Sequence, residues 1–373
     1  MFGKPARIMR PVLPEDRRVI VISDIHGNLP YLKGLLKKIR YCKEDILILD
    51  GDFLEKGPDS LGTLRYIMEL AKSGMVLPLL GNCDEWQMVF HLGKDGDAHI
   101  QRYFRKRRYG LLFEMLSGMG IDPTEEEHVS ALLPEVERTY PEEWHFMCDL
   151  PHAIETEKFV FVHAGMDGSR PLEENLAEEL TAREAFLLEG QHFDKWIVTG
   201  HRPVVLYGEN IVNANPIIDE EHHIICLDGG CVLKDDGQLN ALILPDILCD
   251  DASCFSCAAY DAFPTAVALD DQEPGAHSYY IRWGDSLVQV LRRGEEFSRC
   301  RHVRTGYEMD ILTKYLFEEK TFTDCNDCTD YILPLRAGEK ISIVERTSRG
   351  VFAKHNGVSG WYYGRWKEGE TDA

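Results

Sequence analysis

Six short segments of this 373-residue chain carry residue types suited to metal chemistry. They are Asp24-Ile25-His26, Gly51-Asp52, Gly81-Asn82, His163-Ala164-Gly165, Gly200-His201 and Asp228-Gly229-Gly230. Before the last is counted, they supply three histidines, two aspartates and one asparagine. A mixed nitrogen and oxygen set of this kind suits Mn, Fe, Co or Zn better than Ca or Mg. Asp24 and His26 stand two apart, so a slight twist of one loop aims both at one ion. Asp52 has two carboxylate oxygens and can bridge a pair of ions. Asn82 can bind through its amide oxygen without adding negative charge, and His163 and His201 supply imidazole nitrogens. Glycines beside Asp52, Asn82, His163 and His201 permit tight turns and close backbone approach. Any one of these residues alone reads as a turn or a cap. The ordered set calls for chemistry.

Each segment follows a run that reads as a strand: Val19–Ile22, Ile46–Leu49, Met75–Leu80, Phe159–Val162, Trp196–Thr199 and Ile224–Leu227. Between the first three lie helical patterns, one at Leu32, Leu35, Leu36 and Ile39, another at Leu61, Leu64, Ile67, Met68 and Ala71. This alternation predicts a layered α/β domain, in which ligands bind beyond the carboxyl ends of the strands. The expected organisation is a catalytic domain over 1–245 with a helical insert at 85–150, then a linker at 246–275, then a β-rich region over 276–373. Tyr331–Val344, Gly350–Lys354 and Gly357–Trp366 are short strand-like runs split by glycine, and they predict a small β-barrel at about 325–370.

The series Asp-x-His, Gly-Asp, Gly-Asn-x-Asp, His-x-Gly and Gly-His resembles the calcineurin-like metallophosphoesterases over residues 18–245. Gly51-Asp-Phe-Leu-Glu-Lys-Gly-Pro-Asp-Ser60 and Leu227-Asp-Gly-Gly-Cys231 are similar to the branch of phosphoprotein phosphatases and diadenosine tetraphosphatases. The C-terminal barrel resembles an SH3-like domain. The resemblance implies an αββα sandwich and two divalent transition-metal ions (Mn, Fe or Zn). One ion would be held by Asp24, His26 and Asp52, the other by Asp52, Asn82, His163 and His201. It implies hydrolysis of phosphate esters or phosphoanhydrides by a water that the two ions share and activate.

Three positions depart from that branch. Cys83 stands where its leaving-group acid, a histidine, is expected; Glu55 stands for the aspartate that orients it, and Lys56 for a phosphate-binding arginine. A thiol is a weak hydrogen-bond donor. Anhydrides and aryl phosphates depend less on an acid than alkyl phosphates do, which moves the expected substrate toward nucleotide-like anhydrides and away from phosphoproteins. Related metallophosphoesterases do carry Gly-Asn-Cys-Asp, so a phosphodiesterase of the wider superfamily is one alternative. A degenerate scaffold that only binds phosphate or peptides is another. Arg202, next to His201, could supply the absent guanidinium or could pair with a carboxylate.

Composition narrows the partners. Hydrophobic residues make up 44% and charged residues 28%, which excludes a disordered chain. The net charge of −22 disfavours long nucleic acids and anionic membranes. No apolar run reaches the ~18 residues of a membrane span, and a cytoplasmic location is expected. Against this acidity, Gln101–Arg108 is locally basic, either as a solvated helix face or as a docking patch for an anionic partner. Cys254/Cys257 and Cys325/Cys328 have zinc half-site spacing but lie too far apart for a ribbon, so plain thiols are the expectation. Trp361, Tyr362, Tyr363 and Trp366 form either a barrel core or an aromatic groove for a peptide.

Overall fold

The computed structural model describes residues 3–85 and 93–369, so the insert's residues 86–92 lie outside the described residues. The chain divides into two units. The first comprises Met1–Arg202, Pro216–Leu233 and Gln238–Tyr260; the second comprises Pro203–Asn215, Lys234–Gly237 and Asp261–Ala373.

In the first unit, Val19–Ile22, Ile46–Asp50 and Met75–Leu79 pair in parallel, and Leu239–Leu244 joins them antiparallel along Val19–Ile22. A second sheet pairs Phe159–Val162, Trp196–Thr199 and Ile224–Cys226 in parallel, with antiparallel strands on its flanks. Alternation along the strands explains the layering. Val19, Val21, Ile46 and Ile48 pack with Phe159, Phe161, Val198 and Ile225 of the other sheet. Ile20, Ile22, Leu47 and Leu49 face the opposite way and cover Leu32, Leu35, Leu64 and Ile67 of helices Leu29–Lys38 and Ser60–Ser73. Both faces are buried, which is why these strands read as unbroken apolar runs. The helix starts are capped by Asn28 and Asp59, whose side chains accept from Tyr31 and Gly62 amides. The expected insert forms four helices, Gly93–Arg107, Leu111–Gly118, Val129–Thr139 and Pro141–Asp149, around Ile100, Phe104, Leu112, Met115 and Val136.

The stretch 246–275, expected as a linker, carries two strands. Ser256–Tyr260 pairs with Leu239–Leu244 and extends the first unit's sheet, while Thr265–Ala268 belongs to the second unit. Both are short, and Cys257 and Thr265 are exposed, so no hydrophobic period marks them. Among the described residues the second unit is all β apart from isolated 3-10 turns. Its six-stranded sheet holds Thr265–Ala268 between Trp366–Glu368 and Lys340–Arg346, followed by Val351–His355, Val358–Tyr362 and Val212–Asn213. Leu333, Leu335, Ile341, Ile343, Val351 and Tyr362 fill its core. Tyr362 is fully buried and its neighbour Tyr363 is half exposed, as strand alternation requires. A four-stranded sheet of Leu287–Arg292, Phe297–His302, Glu308–Leu312 and Phe322–Asp324 completes the unit with a short two-stranded pair.

Candidate metal centre

All six ligand candidates belong to the first unit and stand just beyond strand ends, where backbone hydrogen bonds gather their loops. Asp24 N donates to Gly51 O, His26 N to Asp52 O, and Gly200 N to His163 O. Among the described residues, eleven non-glycine residues have positive φ, and six of them are Asp24, His26, Asp52, Glu55, Lys56 and His201. Concentration of left-handed backbone at one place marks a site whose geometry the surrounding fold enforces. Two glycines are fixed by contact. A Cβ on Gly81 would collide with the Asp52 carboxylate, and one on Gly200 with Ser23 and Asp24.

Each side chain uses one polar atom to hold itself in place and leaves another over. Asp24 Oδ2 accepts from His201 N at 2.9 Å and from Ser23 Oγ, and Asp24 Oδ1 has no partner. His163 Nδ1 is 2.9 Å from the Asp50 carbonyl. A carbonyl only accepts, so Nδ1 carries a hydrogen and Nε2 is the nitrogen left to face a cation or Asp52. His26 Nδ1 likewise faces Leu54 O at 3.4 Å. Neither His26 Nε2 nor His163 Nε2 has a hydrogen-bond partner, and both rings are fully buried.

These leftover atoms converge on Asp52 from two sides. His26 Nε2 lies 3.8 Å from Asp24 Oδ1 and 3.9 Å from Asp52 Oδ2. His163 Nε2 lies 3.4 Å from the other oxygen, Asp52 Oδ1. His201 Nδ1 is 2.8 Å from Asn82 Oδ1, and the His163 and His201 rings meet edge to face at 5.2 Å. Asp24, His26, Asp52 and His163 are buried, His201 is half-buried and Asn82 is exposed, so the centre opens on the Asn82 side.

Charge is crowded here. Asp24, Asp50, Asp52, Asp84 and Asp228 are all buried. Burial pushes Asp24 and Asp50 to about 7 and Asp84 to about 8, and raises Asp228 with help from the Asp24 charge. Asp52 is held well below the carboxylate range: burial opposes ionisation, but the neighbouring His163 outweighs it. His163 is raised to about 10, because Asp52 and Asp24 overcome the cost of burial. Burial lowers His26 to about 4 and His201 to about 3. Buried carboxylates and imidazole nitrogens without hydrogen-bond partners are what a bound cation satisfies, displacing the proton that Asp52 and Asp24 otherwise hold on His163, so this donor set fits divalent ions.

The remaining expected site residues fall differently. The Cys83 thiol is buried and raised well above its usual range by burial and by Asp52. One donor atom each from His26, Asp52 and Cys83 lie within 4.8 Å of one another, as do those of Asp24, Asp52 and His163. Lys56 stays charged: burial opposes, and the fields of Cys83 and Asp52 prevail. Both Glu55 carboxylate oxygens are engaged by the helical insert, as those of a carboxylate free to orient Cys83 would not be. Its Oε1 accepts from Leu111 N at 2.8 Å and its Oε2 from Tyr103 Oη at 3.4 Å, because the helical insert packs against it. Arg202 Nη1 donates to Glu184 O at 3.3 Å. Sequence reasoning overlooked Ser23, which ties Asp24 to the Asp50 carbonyl, and Asp84, which accepts from Leu54 N and Gly81 N and shapes the Asn82 loop. For Ser23 the available signal was a polar residue at the end of an apolar strand; for Asp84 it was the last place of the Gly-Asn-x-Asp motif.

Among known proteins, residues 17–233 match the family model described as calcineurin-like phosphoesterase. The symmetrical bis(5'-nucleosyl)-tetraphosphatase of Hamiltonella defensa subsp. Acyrthosiphon pisum is 42% identical over 74 residues, 20% of this chain and 26% of that protein. The protein of the same name from Vibrio parahaemolyticus is 34% identical over 113 residues, 29% of this chain and 40% of that one. The chain thus spans between a quarter and two fifths of these relatives' lengths. A solved protein serine/threonine phosphatase from Saccharomyces cerevisiae, with similarity to human phosphatase PP5, superposes with a TM-score of 0.42 at 12% identity, covering 69% of this chain and 84% of that one. The family match takes in more than half of the chain and every one of the six converging residues, and the protein belongs to the calcineurin-like phosphoesterase family.

Proposed function

We propose that the protein is a two-metal phosphoesterase that cleaves phosphoanhydrides of the nucleoside polyphosphate kind. The observation that carries this reading is the convergence of unpartnered Asp24 Oδ1, His26 Nε2 and His163 Nε2 on the two oxygens of Asp52. Asp24, His26 and Asp52 would hold one ion; Asp52, Asn82, His163 and His201 would hold the other. The donor chemistry favours Mn, Fe or Zn. When bound, such ions acidify water and neutralise phosphoryl oxygens.

The chain's own residues do the rest. Ser23 and the His201 amide fix Asp24, and the Asp50 and Leu54 carbonyls fix the two imidazole tautomers. Lys56 brings a point charge for phosphate, which it orients less strictly than an arginine would. Arg202 is a second candidate phosphate contact. Cys83, buried and protonated, is a poor proton donor, which favours substrates whose leaving group departs without one. The name of the bacterial relatives supports the same substrate class. Phosphoproteins stand as the second class.

For the second unit we keep the SH3-like reading of the sheet built on Lys340–Arg346, Val351–His355 and Val358–Tyr362. The half-exposed Tyr363, stacked on Trp361 at 6.4 Å, supports a peptide-binding role there. Among the described residues no helix is long and apolar enough to cross a membrane, and a cytoplasmic location is part of this proposal. The deciding experiment reconstitutes the protein with each metal and compares p-nitrophenyl phosphate, diadenosine tetraphosphate, a cyclic nucleotide and phosphopeptides. Metal-dependent turnover with preference for the tetraphosphate is expected. Metal binding without turnover of any of them would leave a binding scaffold instead.

A further inference from the structure

We infer that the C-terminal turn of helix Gly93–Arg107 is an anion subsite for the part of a polyphosphate chain that lies beyond the phosphate being cleaved. Arg102, Arg105, Lys106, Arg107 and Arg108 are all exposed there, in a chain of net charge −22. Elsewhere in the same unit Arg10, Arg18, Arg65, Arg170 and Arg183 each pair with a carboxylate. Arg102, Lys106 and Arg107 form no ion pair among the described residues, although acidic side chains outnumber basic ones 63 to 41. Arg105 is used structurally, donating to Thr124 O at 2.9 Å, and Arg108 lies in the field of Asp122. Among the described residues three cations without an ion pair therefore remain, Lys106 and Arg107 on the last turn and Arg102 one turn earlier.

Their position follows from helix geometry. Residues four apart share a stripe. Arg107 continues the stripe of Tyr103, and Arg102 with Lys106 forms the adjacent stripe. Tyr103 Oη touches Glu55 Oε2, and Leu111 N, just past the basic turn, donates to Glu55 Oε1. The basic turn is thus anchored from both sides to Glu55, the residue before Lys56, whose ammonium lies in the field of Cys83 and Asp52. A lone phosphate monoester needs only the metal centre. A polyphosphate chain carries further charges, and exposed cations on the helix whose Tyr103 bonds Glu55, the residue before Lys56, offer them complementary charge. Basic residues in a last helical turn also favour the helix dipole, and that role predicts no effect on ligands.

This inference rests on the proposed phosphoesterase reading, and its test separates the two. The variant Arg102→Ala/Lys106→Ala/Arg107→Ala is compared with wild type by titration calorimetry with inorganic tripolyphosphate and orthophosphate. Turnover of p-nitrophenyl phosphate and diadenosine tetraphosphate is measured alongside. Three screened charge pairs are worth about tenfold in tripolyphosphate affinity. That loss is expected, with a similar fall in kcat/KM for the tetraphosphate, while orthophosphate binding and p-nitrophenyl phosphate turnover change less than about twofold. Arg102→Lys/Arg107→Lys keeps the charge and is expected to keep tripolyphosphate binding, which separates charge from loss of folding. A fall in calorimetric affinity for tripolyphosphate without the tetraphosphate effect assigns the subsite to inorganic chains. Equal effects on mono- and polyphosphates, or none, overturn the inference. If wild type turns over neither substrate, the phosphoesterase reading fails, and tripolyphosphate binding alone still decides the subsite.

Discussion

The backbone amide of Cys83 donates a 2.7 Å hydrogen bond to Asp52 Oδ1, the same oxygen that faces His163 Nε2 at 3.4 Å. The residue at the position of the missing acid therefore helps hold the Asp52 carboxylate with its main chain. Its side chain can be changed without removing that support.

Cys83→His is accordingly expected to keep metal affinity and to restore a proton donor. Turnover of alkyl phosphates should rise by up to ~10²-fold, and that of aryl phosphates by much less. Steady-state kinetics on matched alkyl and aryl monoesters check this. Equal changes on both would mean that proton donation does not limit the reaction.

Ser23 reaches Asp24 and also the Asp50 carbonyl at 3.0 Å. Ser23→Ala removes these bonds and frees the Asp24 carboxylate to turn, with retention of the fold checked by circular dichroism. A loss of roughly 10–100-fold in metal affinity is expected, measured by calorimetric titration. Unchanged affinity would show that the His201 amide alone positions Asp24.

Gly81 has no room for a side chain against Asp52. Gly81→Ala must push either the loop or the carboxylate aside, at a cost of about 1–3 kcal/mol. Urea unfolding of the metal-depleted protein should show the loss, and metal titration should show weakened binding. A variant as stable and as well loaded as wild type would contradict the observed approach.

Glu55 gives a pH prediction away from the ligands. Burial raises its carboxyl from 4.5 to about 8, and nearby Glu114 and Asp84 add to the rise. A carboxyl raised on folding is neutral in the native state while the unfolded state ionises, so its contribution falls as pH climbs from 4.5 through 8. Glu55→Gln stays neutral throughout and is expected to remove that loss, at most ~1.4 kcal/mol per pH unit. Urea unfolding across this range should show the variant gaining on wild type with rising pH. Parallel curves would contradict a neutral Glu55.

The candidate ligand residues were legible because each follows an apolar strand and is marked by a glycine that lets loops meet. Asp24, Asp52 and His163 could be placed from local pattern alone. What local pattern hides is pairing between distant segments. Val212–Asn213 joins Val358–Ser359 in the second unit's sheet, and two residues carry no period. Ser256–Tyr260 sits at a sheet edge with Ser256 and Cys257 exposed, so its composition reads as a loop. Glu55 was matched to an orienting role by its place in a motif, yet Tyr103 and Leu111, some fifty residues on, take both of its oxygens. Such capture by an insert depends on tertiary packing, which strand and helix periods do not encode.

The central claim is that Asp52 bridges two ions. The direct measurement is metal content after reconstitution and removal of free ions, for wild type and Asp52→Asn, with p-nitrophenyl phosphate turnover on the same samples. The account predicts two ions per wild-type chain, with turnover that a chelator abolishes. It predicts that folded Asp52→Asn loses most of both, by about 10² or more in rate. A folded Asp52→Asn that still holds two ions and hydrolyses substrate at the wild-type rate would contradict it.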